Sequence, residues 1–175
     1  IITMGQGGMI VTDKKILSNF IEGLKTFNRS GDKSDFHKGF GLNFKITDLQ
    51  AAMGNSQFKK LGKHIEAKKK ILNNYKNNIS DEFKIIEFTK YEVPWFIDIC
   101  FNSKSKRMNA VNNLDEQGIE TRLSYPPLSK QKYLKKYANN NLNYSESVYE
   151  KILWMPSSIN LTKKSISDIC SVINE

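Results

Sequence analysis

Ile1–Thr12 reads IITMGQGGMIVT, with Gly5, Gly7 and Gly8 set between two apolar, β-branched runs. Glycine supplies the positive φ that a tight hairpin needs, so Ile1–Thr3 and Met9–Thr12 are predicted as two short paired strands. The glycines do not form a phosphate-binding loop: no Lys-Ser/Thr follows them, and they sit in a hairpin and not before a helix. Taken alone they mark a structural turn. The chain does not open on methionine, and its first residues already have the composition of a strand interior. The expectation is the back part of a longer protein, cut inside a domain.

After the hairpin, Asp13 is the expected N-cap of a helix in which Ile16, Leu17, Phe20, Ile21 and Leu24 recur at helical spacing, ending near Thr26–Arg29. The polar stretch Asn28–Phe40 reads as a loop. Thr47 starts a second helix, expected to run to about Asn77, with Leu49, Ala52, Met53 and Leu61 on one side and a small-residue patch at Ala51, Ala52 and Gly54. Beyond Asn78–Asp81 the pattern shortens. Phe83–Phe88 and Val93–Phe101 read as strands, Ser103–Gln117 as a helix stopped by Gly118, and Ile119–Leu123 as a strand. Short helices are expected at Lys130–Tyr137 and Ser145–Lys151. Thr162 caps a last helix with Ile166, Ile169 and Ile173 in phase. This order predicts a partial α/β domain over 1–79, including a long bridging helix, and a small α+β domain over 80–175.

The net charge is +9, and of 27 basic residues only Arg29, Arg107 and Arg122 are arginines. Lysine is the hydrated, solubilising cation, whereas bidentate grips on bases and phosphates favour arginine. The balance argues against nucleic acid as a partner; the run Lys68-Lys69-Lys70 is the one support for a basic binding face. Cys100 and Cys170 have no metal or redox spacing and read as free core thiols of a reducing cytoplasm. His37 and His64 lack a second ligand at metal spacing, so no metal site is expected. No stretch approaches the ~18 apolar residues of a membrane span.

Four segments, in order, resemble one family. ITMGQGGMIVTD is similar to T-x-G-E-G-G-hydrophobic-V-T-[ND]. Gly41–Ala52, GLNFKITDLQAA, is similar to G-Y-N-[YF]-R-[ML]-[ST]-[DN]-[IL]-Q-A-A. Gly118-Ile119-Glu120-Thr121-Arg122 is followed by Tyr125-Pro126-Pro127-Leu128. Trp154-Met155-Pro156-Ser157-Ser158 with Leu161-Thr162 is similar to L-P-S-S-x-x-L-T. Together they cover nearly the whole chain and resemble the DegT/DnrJ/EryC1/StrS sugar aminotransferases. The resemblance implies a pyridoxal-phosphate enzyme of the α/β type I transferase fold. Such an enzyme moves an amino group from an amino-acid donor to a nucleotide-linked keto-sugar, for amino sugars of surface polysaccharide. It also implies a cytoplasmic homodimer with shared active sites.

The cofactor-binding lysine would lie immediately before Ile1, so no catalytic residue is expected within the chain, and the chain alone is expected to be inactive. By the same resemblance, Asn43 donates to the cofactor phosphate across the dimer, while Thr3, Gly7 and Gly8 line the cofactor pocket. Arg122, Tyr125 and Lys45 face the substrate. Read from the residues alone, Asn43 is first a turn residue before the Thr47 cap, and Arg122 is equally a surface arginine at a strand end. Three positions depart from the family pattern: Gln6 replaces glutamate, Lys45 replaces arginine without its bidentate fork, and Ser129 replaces histidine. A sugar dehydratase of the same fold, with histidine for the lysine, and a degenerate copy that only dimerises are the alternative readings.

Overall fold

The computed structural model describes residues 1–31, 35–137 and 143–174, with only the backbone of residue 143; residues 32–34 of the expected loop lie outside them. The chain forms two compact units, Ile1–Leu61 and Gly62–Glu175. The sequence pattern places the division at 79/80. It falls earlier because the helix after Leu61 gives Ile71, Leu72 and Tyr75 to the second unit's core.

The first unit holds two helices, α1 (Lys15–Lys25) and α2 (Asp48–Phe58). The expected hairpin is absent: Ile1–Thr3 and Met9–Thr12 form no ladder, and Met9, Ile10 and Val11 are exposed. Of the three glycines only Gly5 has positive φ, at +83°, whereas a two-residue hairpin turn of the tightest type requires two such residues in succession. The cap of α1 also differs. Lys14 is the N-cap without a side-chain bond, and its N–H donates to Thr12 Oγ1 at 3.1 Å, leaving Asp13 unused. Thr47 does cap α2, in a reciprocal box. Its hydroxyl accepts from Gln50 N at 3.3 Å, and its own N–H donates to Gln50 Oε1 at 3.0 Å. The expected long helix breaks after Phe58, where Lys60 N donates to Gln57 O at 2.9 Å in a tightened last turn.

The second unit begins with α3 (Leu61–Asn78) and carries a four-stranded antiparallel sheet. Its strands are β1 (Lys84–Ile85), β2 (Ile97–Cys100), β3 (Arg122–Leu123) and β4 (Ile152–Met155), in the order β1-β2-β4-β3. Three of them fall inside the predicted strands but are shorter; β4 was not foreseen. Alternation explains which face is covered. Ile97 and Ile99 of β2, and Leu153 and Met155 of β4, point into the core, while Asp98, Cys100, Ile152 and Trp154 are half-buried on the other face. The core is closed by Ile71, Leu72 and Tyr75 of α3, by Ala110 and Leu114 of α4 (Lys104–Glu116), and by Ile166, Ile169, Cys170 and Ile173 of α6 (Lys163–Asn174). Between β3 and β4 lie short 3₁₀ turns over Leu128–Lys130, Lys132–Tyr137 and Tyr149–Lys151, and the helix α5 (Asn143–Val148).

Local signals set the ends of these helices. Ser103 Oγ caps α4 by accepting from Lys106 N at 3.1 Å. Gly118, at φ +68°, ends it: Gly118 N donates to Asp115 O and Ile119 N to Leu114 O, the paired bonds of a Schellman cap. Thr162 Oγ1 accepts from Ser165 N at 3.0 Å at the start of α6.

Two outcomes are expected. Leu153→Ala, in the middle of the sheet and fully buried, should cost about 2–5 kcal/mol of unfolding free energy in urea titrations. Burial also pushes the Cys170 thiol from 9.0 up to about 11, and raises the Tyr75 phenol, which Cys170 reinforces. Both groups hold their protons more tightly folded than unfolded. The Cys170 contribution is complete below about pH 9 and is lost as pH rises through about 11, and that of Tyr75 is lost at higher pH still. The urea midpoint should therefore fall across that window, and less steeply in Cys170→Ala.

Candidate functional site

In the first unit the segment carrying Asn43 is fixed by backbone bonds to the end of α1. Phe27 N donates to Leu42 O at 3.0 Å, Leu42 N to Leu24 O at 2.7 Å and Phe44 N to Lys25 O at 3.0 Å. Thr26 and Asn43 thereby form an antiparallel bridge. The chain turns through Phe27 and Asn28, both left-handed at φ +64° and +51°, a conformation that non-glycine residues rarely adopt. Gly41 permits this approach. A Cβ there would lie 2.2 Å from the Phe27 carbonyl carbon, so no side chain fits. Asn43 itself is exposed.

Lys45 follows on the same segment, its Nζ 5.9 Å from the Phe27 ring centroid, with Arg29 Cζ at 5.3 Å from the same ring. His37 Nδ1 lies 2.6 Å from Phe27 O. At the chain's start, Thr3 Oγ1 accepts from Gly5 N at 3.3 Å. A Cβ on Gly7 would touch Met4, whereas one on Gly8 would meet open space. Met4 also lies against Gly54, in the small-residue patch of α2. Thr3, Gly7, Gly8, Asn43 and Lys45 thus all belong to the first unit.

Arg122 and Tyr125 belong to the second unit, and the fold brings them together. The Arg122 guanidinium carbon stands 4.9 Å from the Tyr125 ring centroid and 5.9 Å from that of Trp154. Tyr125 meets Trp154 edge-on at 4.7 Å, Trp154 stacks on Phe96 at 4.1 Å with parallel planes, and Phe96 stacks on Trp95 at 4.9 Å. These contacts follow from register. Arg122 of β3 pairs with Trp154 of β4, and Trp154 pairs with Asp98 of β2. On this half-open face, burial pushes the Asp98 carboxyl above its ordinary value, while a hydrogen bond with the Trp154 side chain opposes the shift.

Beside the aromatic cluster lies a groove of about 510 Å³, lined by Gly118–Arg122, Phe96 and Trp154–Ser158. It joins two of the sequence motifs singled out above. Its chemistry is a guanidinium beside flat aromatic surface, suited to an anionic ligand with a planar ring. Ser129, in place of the family's histidine, serves the fold. Its hydroxyl donates to Glu146 Oε1 at 2.6 Å and helps hold that carboxyl below its usual range.

Phe96 and Asp98 escaped the sequence reading, and Trp154 entered it only within a motif and without a role, although the alternation Phe96-Ile97-Asp98-Ile99-Cys100 carried the signal of an outward polar-aromatic face. Lys68 was misplaced. It is not part of a solvated lysine face but 8% exposed, its Nζ donating to Trp95 O at 3.0 Å, Ser157 O at 2.6 Å and Ser157 Oγ at 3.1 Å. Among the described residues no cluster of metal-binding side chains occurs, and no helix is long and apolar enough to cross a membrane.

Residues 1–174 match the model of the DegT/DnrJ/EryC1/StrS aminotransferase family. The chain is 28% identical over 177 residues to the GDP-perosamine synthase of Escherichia coli O157:H7, covering 99% of the chain and 48% of that protein. It is 25% identical over 191 residues to a UDP-4-amino-4,6-dideoxy-N-acetyl-beta-L-altrosamine transaminase of Helicobacter pylori, covering 96% and 47%. It spans about half the length of the curated relatives it matches. Among solved structures, the aminotransferase TlmJ from Streptoalloteichus hindustanus superposes with a TM-score of 0.83 at 18% identity, covering 98% of the chain and 47% of TlmJ. Helicobacter pylori PseC, an aminotransferase of pseudoaminic acid biosynthesis, gives 0.80 at 20% identity, over 93% and 46%. The fold is that of these α/β transferases.

Gly41→Ala should break the Thr26–Asn43 bridge. Amide hydrogen exchange at Phe27, Leu42 and Phe44 should quicken by at least tenfold, while amides of β2 and β4 keep their protection.

Proposed function

The chain belongs to the DegT/DnrJ/EryC1/StrS aminotransferase family, and from that premise we propose that the protein it forms part of is a pyridoxal-phosphate aminotransferase. Its substrate is a nucleotide-linked keto-sugar, its amino donor an amino acid, and its product an amino sugar for surface polysaccharide. The observation that carries this reading is the Arg122–Tyr125–Trp154 cluster, which offers a cation and aromatic faces beside an open groove in a chain whose relatives are named for GDP- and UDP-sugars.

When bound, pyridoxal phosphate supplies the electron sink for amino transfer. The chain's own residues bind and orient. Asn43, exposed on a segment that the Gly41–Phe27 approach holds in place, is suited as a neutral amide donor to the cofactor phosphate of a partner subunit in a homodimer. Thr3, Gly7 and Gly8 border the cofactor by shape: the open space at Gly8 leaves room for a ligand, while Gly7 lies against Met4. Lys45 adds a cation on the same segment as Asn43. Arg122 holds a phosphate of the substrate, and Tyr125 bounds the ring beside it. In this reading the first unit belongs to the cofactor domain and the second carries the groove for the sugar nucleotide.

In the full-length enzyme, Asn43→Ala should weaken cofactor retention by about 10- to 100-fold, the worth of a hydrogen bond to a charged group, and leave the dimer intact by sedimentation. Unchanged retention would remove Asn43 from the phosphate site. Mass spectrometry of a nucleotide keto-sugar incubated with glutamate or glutamine should show the amino product in the wild type. Its absence with every such sugar nucleotide would overturn the activity.

A further inference from the structure

The Lys68 ammonium is enclosed by three neutral oxygens, and its three protons meet all of them: Trp95 O, Ser157 O and Ser157 Oγ. Among the described residues no carboxylate is paired with it. Burial lowers its pKa from the ordinary lysine value, so keeping the cation there costs free energy that a methionine of similar length would avoid. What the cation achieves in return is a link between distant parts of the chain. Trp95 lies just before β2 and Ser157 just after β4, and Ser157 Oγ also donates to Trp95 O at 3.1 Å. About two turns along α3, Tyr75 donates its phenol hydrogen to Pro156 O at 2.8 Å. α3 therefore holds the backbone on which Phe96, Trp154, Pro156 and Ser157 line the groove.

We propose that Lys68 is a positioning residue: its buried ammonium ties the segment before β2 to the loop after β4 and so sets the wall of the groove against which Arg122 presents its charge. That the groove receives a sugar nucleotide rests on the function proposed above; that Lys68 shapes it does not. Lys68 makes no contact with reacting atoms and, with all three protons engaged, is no nucleophile. Ser157 is the middle residue of the Pro156-Ser157-Ser158 motif, so the staple also accounts for a hydroxyl at that position.

The chain has two tryptophans: Trp154 lines the groove, and Trp95, whose carbonyl Lys68 holds, stacks on the groove residue Phe96, so intrinsic fluorescence reads both ends of the staple. In Lys68→Met, emission should shift to the red and iodide quenching should rise at least twofold. Lys68→Arg, which keeps the charge and donors, should restore part of both. Ile71→Val, a mild core truncation on the same helix, should leave emission and quenching unchanged. Titration with GDP as probe should quench wild-type emission and bind at least tenfold more weakly to Lys68→Met. A folded Lys68→Met with wild-type emission, quenching and GDP affinity overturns the proposal. If Lys68→Met does not fold, Ser157→Ala decides: it removes only the hydroxyl bonds and must raise iodide quenching measurably, and an unchanged Ser157→Ala overturns the staple. A wild-type chain indifferent to GDP counts against the nucleotide reading of the groove, while the quenching result still settles Lys68.

Discussion

The pairing of β2 with β4 is the constraint on which the second unit depends. Ile97 faces Met155 and Ile99 faces Leu153, and these four side chains form the floor on which α3, α4 and α6 rest. Side chains alternate along a strand, so a slip of one residue would turn Asp98 and Trp154 toward the helices and expose the isoleucines. One face being buried therefore fixes the register, and the register in turn fixes the row Arg122–Trp154–Asp98 on the other face. The groove chemistry is a by-product of core packing: the residues that would meet a ligand are those that the core excludes. Lys68 and Tyr75 extend the same logic beyond the strand ends, where there is no ladder left to hold the backbone.

The first unit is organised by a different principle. Neither α1 nor α2 has a fully buried residue, and large side chains such as Ile16, Phe20, Phe44 and Leu49 stand exposed. Its order around Asn43 comes from backbone hydrogen bonds between the end of α1 and residues 41–44, made possible by a position where only glycine fits. Burial of apolar area contributes little there; close approach of two backbones contributes most.

Helices were largely readable in the sequence because their signals are local. Thr47 with Gln50, Ser103, Gly118 and Thr162 each mark an end through a bond to a neighbour a few residues away, and the structure uses all four. Strands were less readable because pairing is not local. β4 runs into a motif that was quoted only for its resemblance, and its partner β2 lies far upstream. The hairpin at Ile1–Thr12 failed for the related reason that apolar, β-branched composition is no guarantee of a partner. Of the site residues that the motifs suggested, the fold brings Arg122 and Tyr125 together. The site was not readable where chemistry depends on burial: nothing in a run of three lysines says which one turns inward, and only the fold singles out Lys68.

The sheet of the second unit is short at both margins. β1 and β3 are two residues each, β1 carries exposed Lys84, and β3 is followed within a few residues by Pro126 and Pro127, which have no N–H to donate. A sheet bounded in this way offers no long row of unpaired backbone groups to an incoming strand. Whatever the second unit assembles with must be met through side chains, on its helices or on the aromatic face, and not by lengthening the sheet. The same brevity protects a lysine- and isoleucine-rich chain from edge-to-edge growth, because the template that such growth requires stops after two residues on either side.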